Sequence, residues 1–72
     1  MNITQGKQKI LKQCRAEMLD RGIIASWFMP KISKEGDFRY YISFSKDKEI
    51  VYEFNVFVDD KFNFIEYEID IR

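Results

Sequence analysis

The chain has 72 residues, 12 basic and 12 acidic side chains, one cysteine and no histidine, so its formal net charge is zero. That length holds one domain, 1–72, which buries only about 60% of its unfolded surface and has no disulfide or Cys–His cluster to staple it. An apolar content of 46% with three Gly and one Pro excludes a disordered chain, and no apolar run reaches the ~18 residues of a membrane span.

A helix is expected from Ile3 to Arg21. Ile3, Ile10, Leu11, Cys14 and Met18 make one apolar stripe at helical spacing, with Asn2 as N-cap and Gln5 completing a weak capping box. Gly6 weakens the first turn, and Arg21–Gly22 reads as the last turn and its left-handed cap. Beyond Gly22 the hydrophobic period switches from helical to alternating. The first strand is expected over Ile23 to Ile32, with Pro30 marking an edge position. Lys34-Glu35-Gly36 then reads as a three-residue hairpin loop with glycine in the left-handed position.

The second strand alternates Phe38, Tyr40, Ile42 and Phe44 inward with Arg39, Tyr41, Ser43 and Ser45 outward. After a polar turn at Lys46 to Glu49, the third points Ile50, Tyr52, Phe54, Val56 and Val58 inward and Val51, Glu53, Asn55 and Phe57 outward. Asp59-Asp60-Lys61 turns into a fourth, with Ile65, Tyr67, Ile69 and Ile71 in and Phe64, Glu66, Glu68 and Asp70 out. Short connections make neighbouring strands antiparallel. The expected fold class is therefore α+β: two layers, one N-terminal helix packed on a four-stranded antiparallel meander sheet. In element order this layout resembles cystatin-like and monellin-like folds, although the cystatin inhibitory-loop residues are absent.

The residue types point away from catalysis. There is no histidine to serve as a base near neutral pH, no phosphate-cradling glycine loop and no nucleophile elbow. Cys14 lies within the apolar helix stripe and reads as a small buried hydrophobe. Pairing Phe57 with Phe64 would set Glu53 opposite Glu68, a like-charge pair that a hard cation would relieve. A flat sheet face does not supply enough converging ligands, so neither a metal nor a cofactor is expected.

Charge is segregated along the chain. Residues 1–34 carry seven basic against two acidic side chains, and residues 35–72 carry five against ten. Lys9, Lys12 and Arg15 share the outer helix face and define a weak nucleic-acid reading, but three cations hold phosphate weakly and the sheet aromatics lie among carboxylates. The favoured reading is a non-catalytic protein-interaction module, of accessory or inhibitory type, that uses the outer sheet face. Its expected contact residues are Trp27, Met29, Tyr41, Phe57 and Phe64, rimmed by Arg39, Glu53, Glu66 and Glu68. Trp27 and Met29 turn inward instead if the first hairpin slips by one residue. The partner is a protein with a basic and apolar surface, or a second copy of the chain. The unpaired cysteine and the lack of a signal-peptide pattern suit the cytoplasm. Phe, Tyr, Met, Ile, Asn and Lys number 35 against 10 for Gly, Ala, Arg and Pro, the signature of an AT-rich genome, bacterial or phage.

Overall fold

Helix α1 runs over Ile3–Asp20 in a computed structural model that describes residues 2–72. Its start is the expected capping box: the Asn2 side chain accepts from the Gln5 N–H (2.9 Å), and Gln5 Oε1 accepts from the Asn2 N–H (3.2 Å). Its end is a Schellman motif. Gly22 adopts φ 76°, the Gly22 N–H donates to Leu19 C=O and the Ile23 N–H to Met18 C=O, each at 2.9 Å.

Four strands follow in sequence order: β1 Met29–Gly36, β2 Arg39–Lys46, β3 Glu49–Val58 and β4 Phe64–Ile71. They pair as an antiparallel meander β1-β2-β3-β4, and one face lies under α1. Ile10, Cys14 and Met18 of the helix meet Tyr40, Ile42, Phe44, Phe54, Val56 and Val58 of the central strands, all buried. This is the expected α+β layout, and its core is the alternating inward set of β2 and β3. No helix among the described residues is long and apolar enough to cross a membrane.

The connections depart from expectation where an extra residue is inserted. β1 starts later than Ile23, because Ala25–Trp27 forms a short 3-10 turn. That turn lets Phe28 pack edge-on against Tyr52, with ring centroids 5.2 Å apart. The first hairpin turns at Asp37–Phe38, not at Lys34–Gly36. Glu35 is a bulge, Gly36 pairs with Arg39, and Gly36 has no left-handed φ. Phe38, expected inside, is therefore exposed at the hairpin tip. Ile32 pairs with Ile42, four residues beyond Phe38, the partner it would have across a Lys34–Gly36 loop. That shift is an even number of residues, so Met29 stays on the outer face.

Two further bulges flip side chains. One at Val51 sets Ile50 beside Ser45 on the outer face. The other, at Ile65, has the greater effect. Val58 pairs with Phe64, Phe57 with Glu66 and Glu53 with Asp70, so Phe64 faces the core and Ile65 is left 68% exposed. The one-residue insertion reverses the parity of the strand start while the rest of β4 keeps its expected face.

Candidate functional site

The face of the sheet away from α1 is built from four cross-strand rows. Met29, Ser45 and Ile50 form the first; Lys31, Ser43, Glu53 and Asp70 the second; Ser33, Tyr41, Asn55 and Glu68 the third; Arg39, Phe57 and Glu66 the fourth. Met29, Tyr41, Phe57, Arg39, Glu53, Glu66 and Glu68 of the expected contact set thus share one face. Phe64 does not belong to it: the Ile65 bulge turns its ring inward against Tyr67, centroids 5.6 Å apart.

The middle of the face is polar and internally paired. The Tyr41 hydroxyl donates to Glu53 Oε2, and the Arg72 Nε lies 2.5 Å from Glu53 Oε1. The hydrogen bond to Glu53 pushes the Tyr41 hydroxyl above its ordinary pKa, with burial and the Glu53 charge adding to it. Glu53 faces Asp70, not Glu68, and it is Arg72 that offsets its charge. Among the described residues, no three His, Cys, Asp or Glu side chains converge as a metal site.

The apolar groups sit at the two ends. At one end Trp27, on the 3-10 turn, is 63% exposed and Met29 is 74% exposed, with Ile50 in the same row as Met29. The Lys46 ammonium lies 5.6 Å from the Trp27 ring centroid. At the other end Phe57 is 44% exposed, and the Arg39 guanidinium lies 5.8 Å from its ring centroid. Two depressions meet at Phe57. One, of about 290 Å³, is lined by Phe38, Phe57, Val58, Asp59, Asp60 and Ile65. The other, of about 440 Å³, is lined by Arg39, Asn55, Phe57, Glu66, Tyr67 and Glu68. The expected single aromatic patch is therefore two apolar anchors across a charged middle. Phe38 and Ile65 join one anchor, although strict alternation assigned both to the core.

The helix carries the other expected site. Lys9, Lys12 and Arg15 line a depression of about 810 Å³ with Gln8, Gln13, Ala16 and Asn63. Cys14 lies beneath, its thiol pushed up to about 12 by burial, so it stays neutral and unreactive. Sequence reasoning overlooked Gln13, which clamps the β3–β4 loop like a short strand. Its Nε2 donates to Phe62 C=O (2.7 Å) and its Oε1 accepts from the Phe64 N–H (2.9 Å). Asp59 organises the same loop by accepting from the Lys61 and Asn63 N–H groups, each at 2.9 Å, and these bonds, the Asn63 one foremost, hold its carboxyl below the ordinary value. Gly6 completes the arrangement, because the Phe62 ring rests directly on it. A glycine inside a helix was the one available signal for that contact. Comparisons with protein-family models, curated proteins and solved structures find no match to this chain.

Proposed function

We propose that this chain is a non-catalytic protein-interaction module of the cytoplasm that docks a partner on its outer sheet face. The observation that carries the reading is the exposure of Met29 and Phe57 at the two ends of the sheet face opposite α1, with Trp27 exposed on the turn that leads into β1. Aromatic and Met anchors within a charged rim are the composition of interface cores, and Trp is the residue type most enriched among hot spots. Eight-residue strands are about 26 Å long and four of them span about 19 Å. The face thus offers roughly 500 Å² per partner, enough for a weak or transient complex. Glu66 and Glu68 beside Phe57 favour a partner with basic residues around an apolar centre. The lack of any histidine and the buried Cys14 support the non-catalytic part of the reading.

A second reading rests on the depression lined by Lys9, Lys12 and Arg15. It makes the helix a weak phosphate-binding surface with strong salt dependence. One experiment separates the two. Ligands are selected from a random peptide display library and re-measured on Phe57→Asp and on the triple variant Lys9→Glu/Lys12→Glu/Arg15→Glu. Selected peptides should combine Lys or Arg with apolar residues, and Phe57→Asp should weaken them by about tenfold or more with the far-UV spectrum unchanged. Loss of binding in the helix variant alone overturns the sheet-face reading.

A further inference from the structure

β4 ends the sheet with an open edge, and its hydrogen-bonding phase can be assigned. The Arg72 N–H donates to Val51 C=O at 2.8 Å, which makes Ile71–Tyr52 a non-hydrogen-bonded pair. Alternation then assigns the ladder bonds to Glu66, Glu68 and Asp70. The N–H and C=O groups of Tyr67, Ile69 and Ile71 point away from β3 into the open edge.

The two edges of the sheet are not equivalent. β1 carries Pro30, Lys31 and Lys34, residues that blunt an edge against pairing. β4 carries neither proline nor lysine; its outward side chains beyond the bulge are Glu66, Glu68 and Asp70. On the helix side, Tyr67 and Ile69 are half-buried and Ile71 is 62% exposed, so the apolar layer under α1 runs out to the edge unfinished. A second copy of the chain does not fit. Antiparallel β4 strands in any register that matches their faces bring Glu66, Glu68 and Asp70 against one another.

We infer that β4 is a docking edge for an extended, basic strand of a partner protein, which adds a fifth strand to the sheet. The incoming chain alternates Lys or Arg beside Glu66, Glu68 and Asp70 with apolar side chains beside Tyr67, Ile69 and Ile71. Main-chain bonds to Tyr67, Ile69 and Ile71 hold it, and charge selects it. This deepens the protein-partner reading and rests on it, yet it uses the strand edge and not the Phe57 anchor.

The test uses the full chain and a capped peptide of about seven residues alternating Lys with Val, beside a control with Glu in place of Lys. Amide exchange is read residue by residue. In the free protein the Tyr67, Ile69 and Ile71 amides should exchange faster than those of Glu66, Glu68 and Asp70. The Lys peptide should slow those three by about tenfold or more, and the Glu peptide should not. Ile71→Pro removes an edge-facing N–H without costing a ladder bond and should weaken the Lys peptide, whereas in Phe57→Asp, which keeps every edge-facing backbone group, the Lys peptide should still protect the Tyr67, Ile69 and Ile71 amides. In Glu68→Lys/Asp70→Lys the preference should reverse to the Glu peptide. Equal response to both peptides, or protection without this alternation, overturns the inference. Outer-face ligands lost in Phe57→Asp but retained in Ile71→Pro would leave the sheet-face reading standing alone.

Discussion

Gly6→Ala should destabilise this protein, against the usual sign of a glycine-to-alanine change inside a helix. On an exposed helix the substitution gains about 1 kcal/mol from propensity. Here an added Cβ would lie 2.5 Å from two ring atoms of Phe62 and 2.6 Å from a third. The ring cannot swing away freely. It packs against Tyr40 with centroids 6.3 Å apart, and its backbone, at φ 63°, is pinned through its carbonyl by Gln13. Overpacking of this kind costs about 1–3 kcal/mol. Set against the propensity gain, the net loss is about 1 kcal/mol, and for a chain of this size Tm should fall by about 4–8 °C. Urea and thermal unfolding of wild type, Gly6→Ala, Phe62→Ala and the double variant make the test complete. In the Phe62→Ala background the same Gly6→Ala change should become stabilising, because the obstacle is gone and only propensity remains. A rise in Tm for Gly6→Ala in the wild-type background would refute the reasoning.

Three other outcomes follow from the loops and the helix–sheet contacts. Asp47 and Lys48 form a two-residue turn with φ 53° and 68°, the geometry that favours glycine at its second position, so Lys48→Gly should raise stability by about 1 kcal/mol in urea titration. Gln13→Leu leaves Phe62 C=O and the Phe64 N–H without their partner and should cost about 1–3 kcal/mol, read as a lower urea midpoint at unchanged slope. The Tyr67 hydroxyl donates to Glu17 Oε2 at 2.5 Å, and this bond, then Arg21, holds the Glu17 carboxyl below its ordinary value. A carboxyl lowered on folding stabilises above its unfolded pKa and loses that contribution as pH falls through the folded value. Tyr67→Phe should therefore be less stable than wild type at neutral pH, and the gap should narrow between about pH 5 and pH 3.

What the sequence made legible was decided by local chemistry. Asn2 and Gln5 announced the helix start, Arg21–Gly22 its end, and the regular alternation of Tyr40, Ile42 and Phe44 the central core strand. The register was less legible, because it depends on single inserted residues at Glu35, Val51 and Ile65. At the start of β4, Phe64 and Ile65 are both apolar, so alternation alone cannot say which one enters the core. The bulge put Phe64 in and Ile65 out, which removed one expected contact residue and supplied another. Phe38 was misread for a related reason, since the hairpin turns two residues later than the Lys34–Gly36 signal implied. Gly6 looked like a weakness of the helix, and only the distant Phe62 ring explains it. Long-range complementarity of that kind leaves no pattern within one stretch of chain.

Backbone chemical-shift mapping of a selected basic peptide ligand tests the docking surface most directly. The largest shifts should fall on Met29, Tyr41, Asn55, Phe57, Glu66 and Glu68, with little change along α1. Shifts concentrated instead on Lys9, Lys12, Arg15 and Asn63 would contradict the assignment of the outer sheet face as the site of recognition.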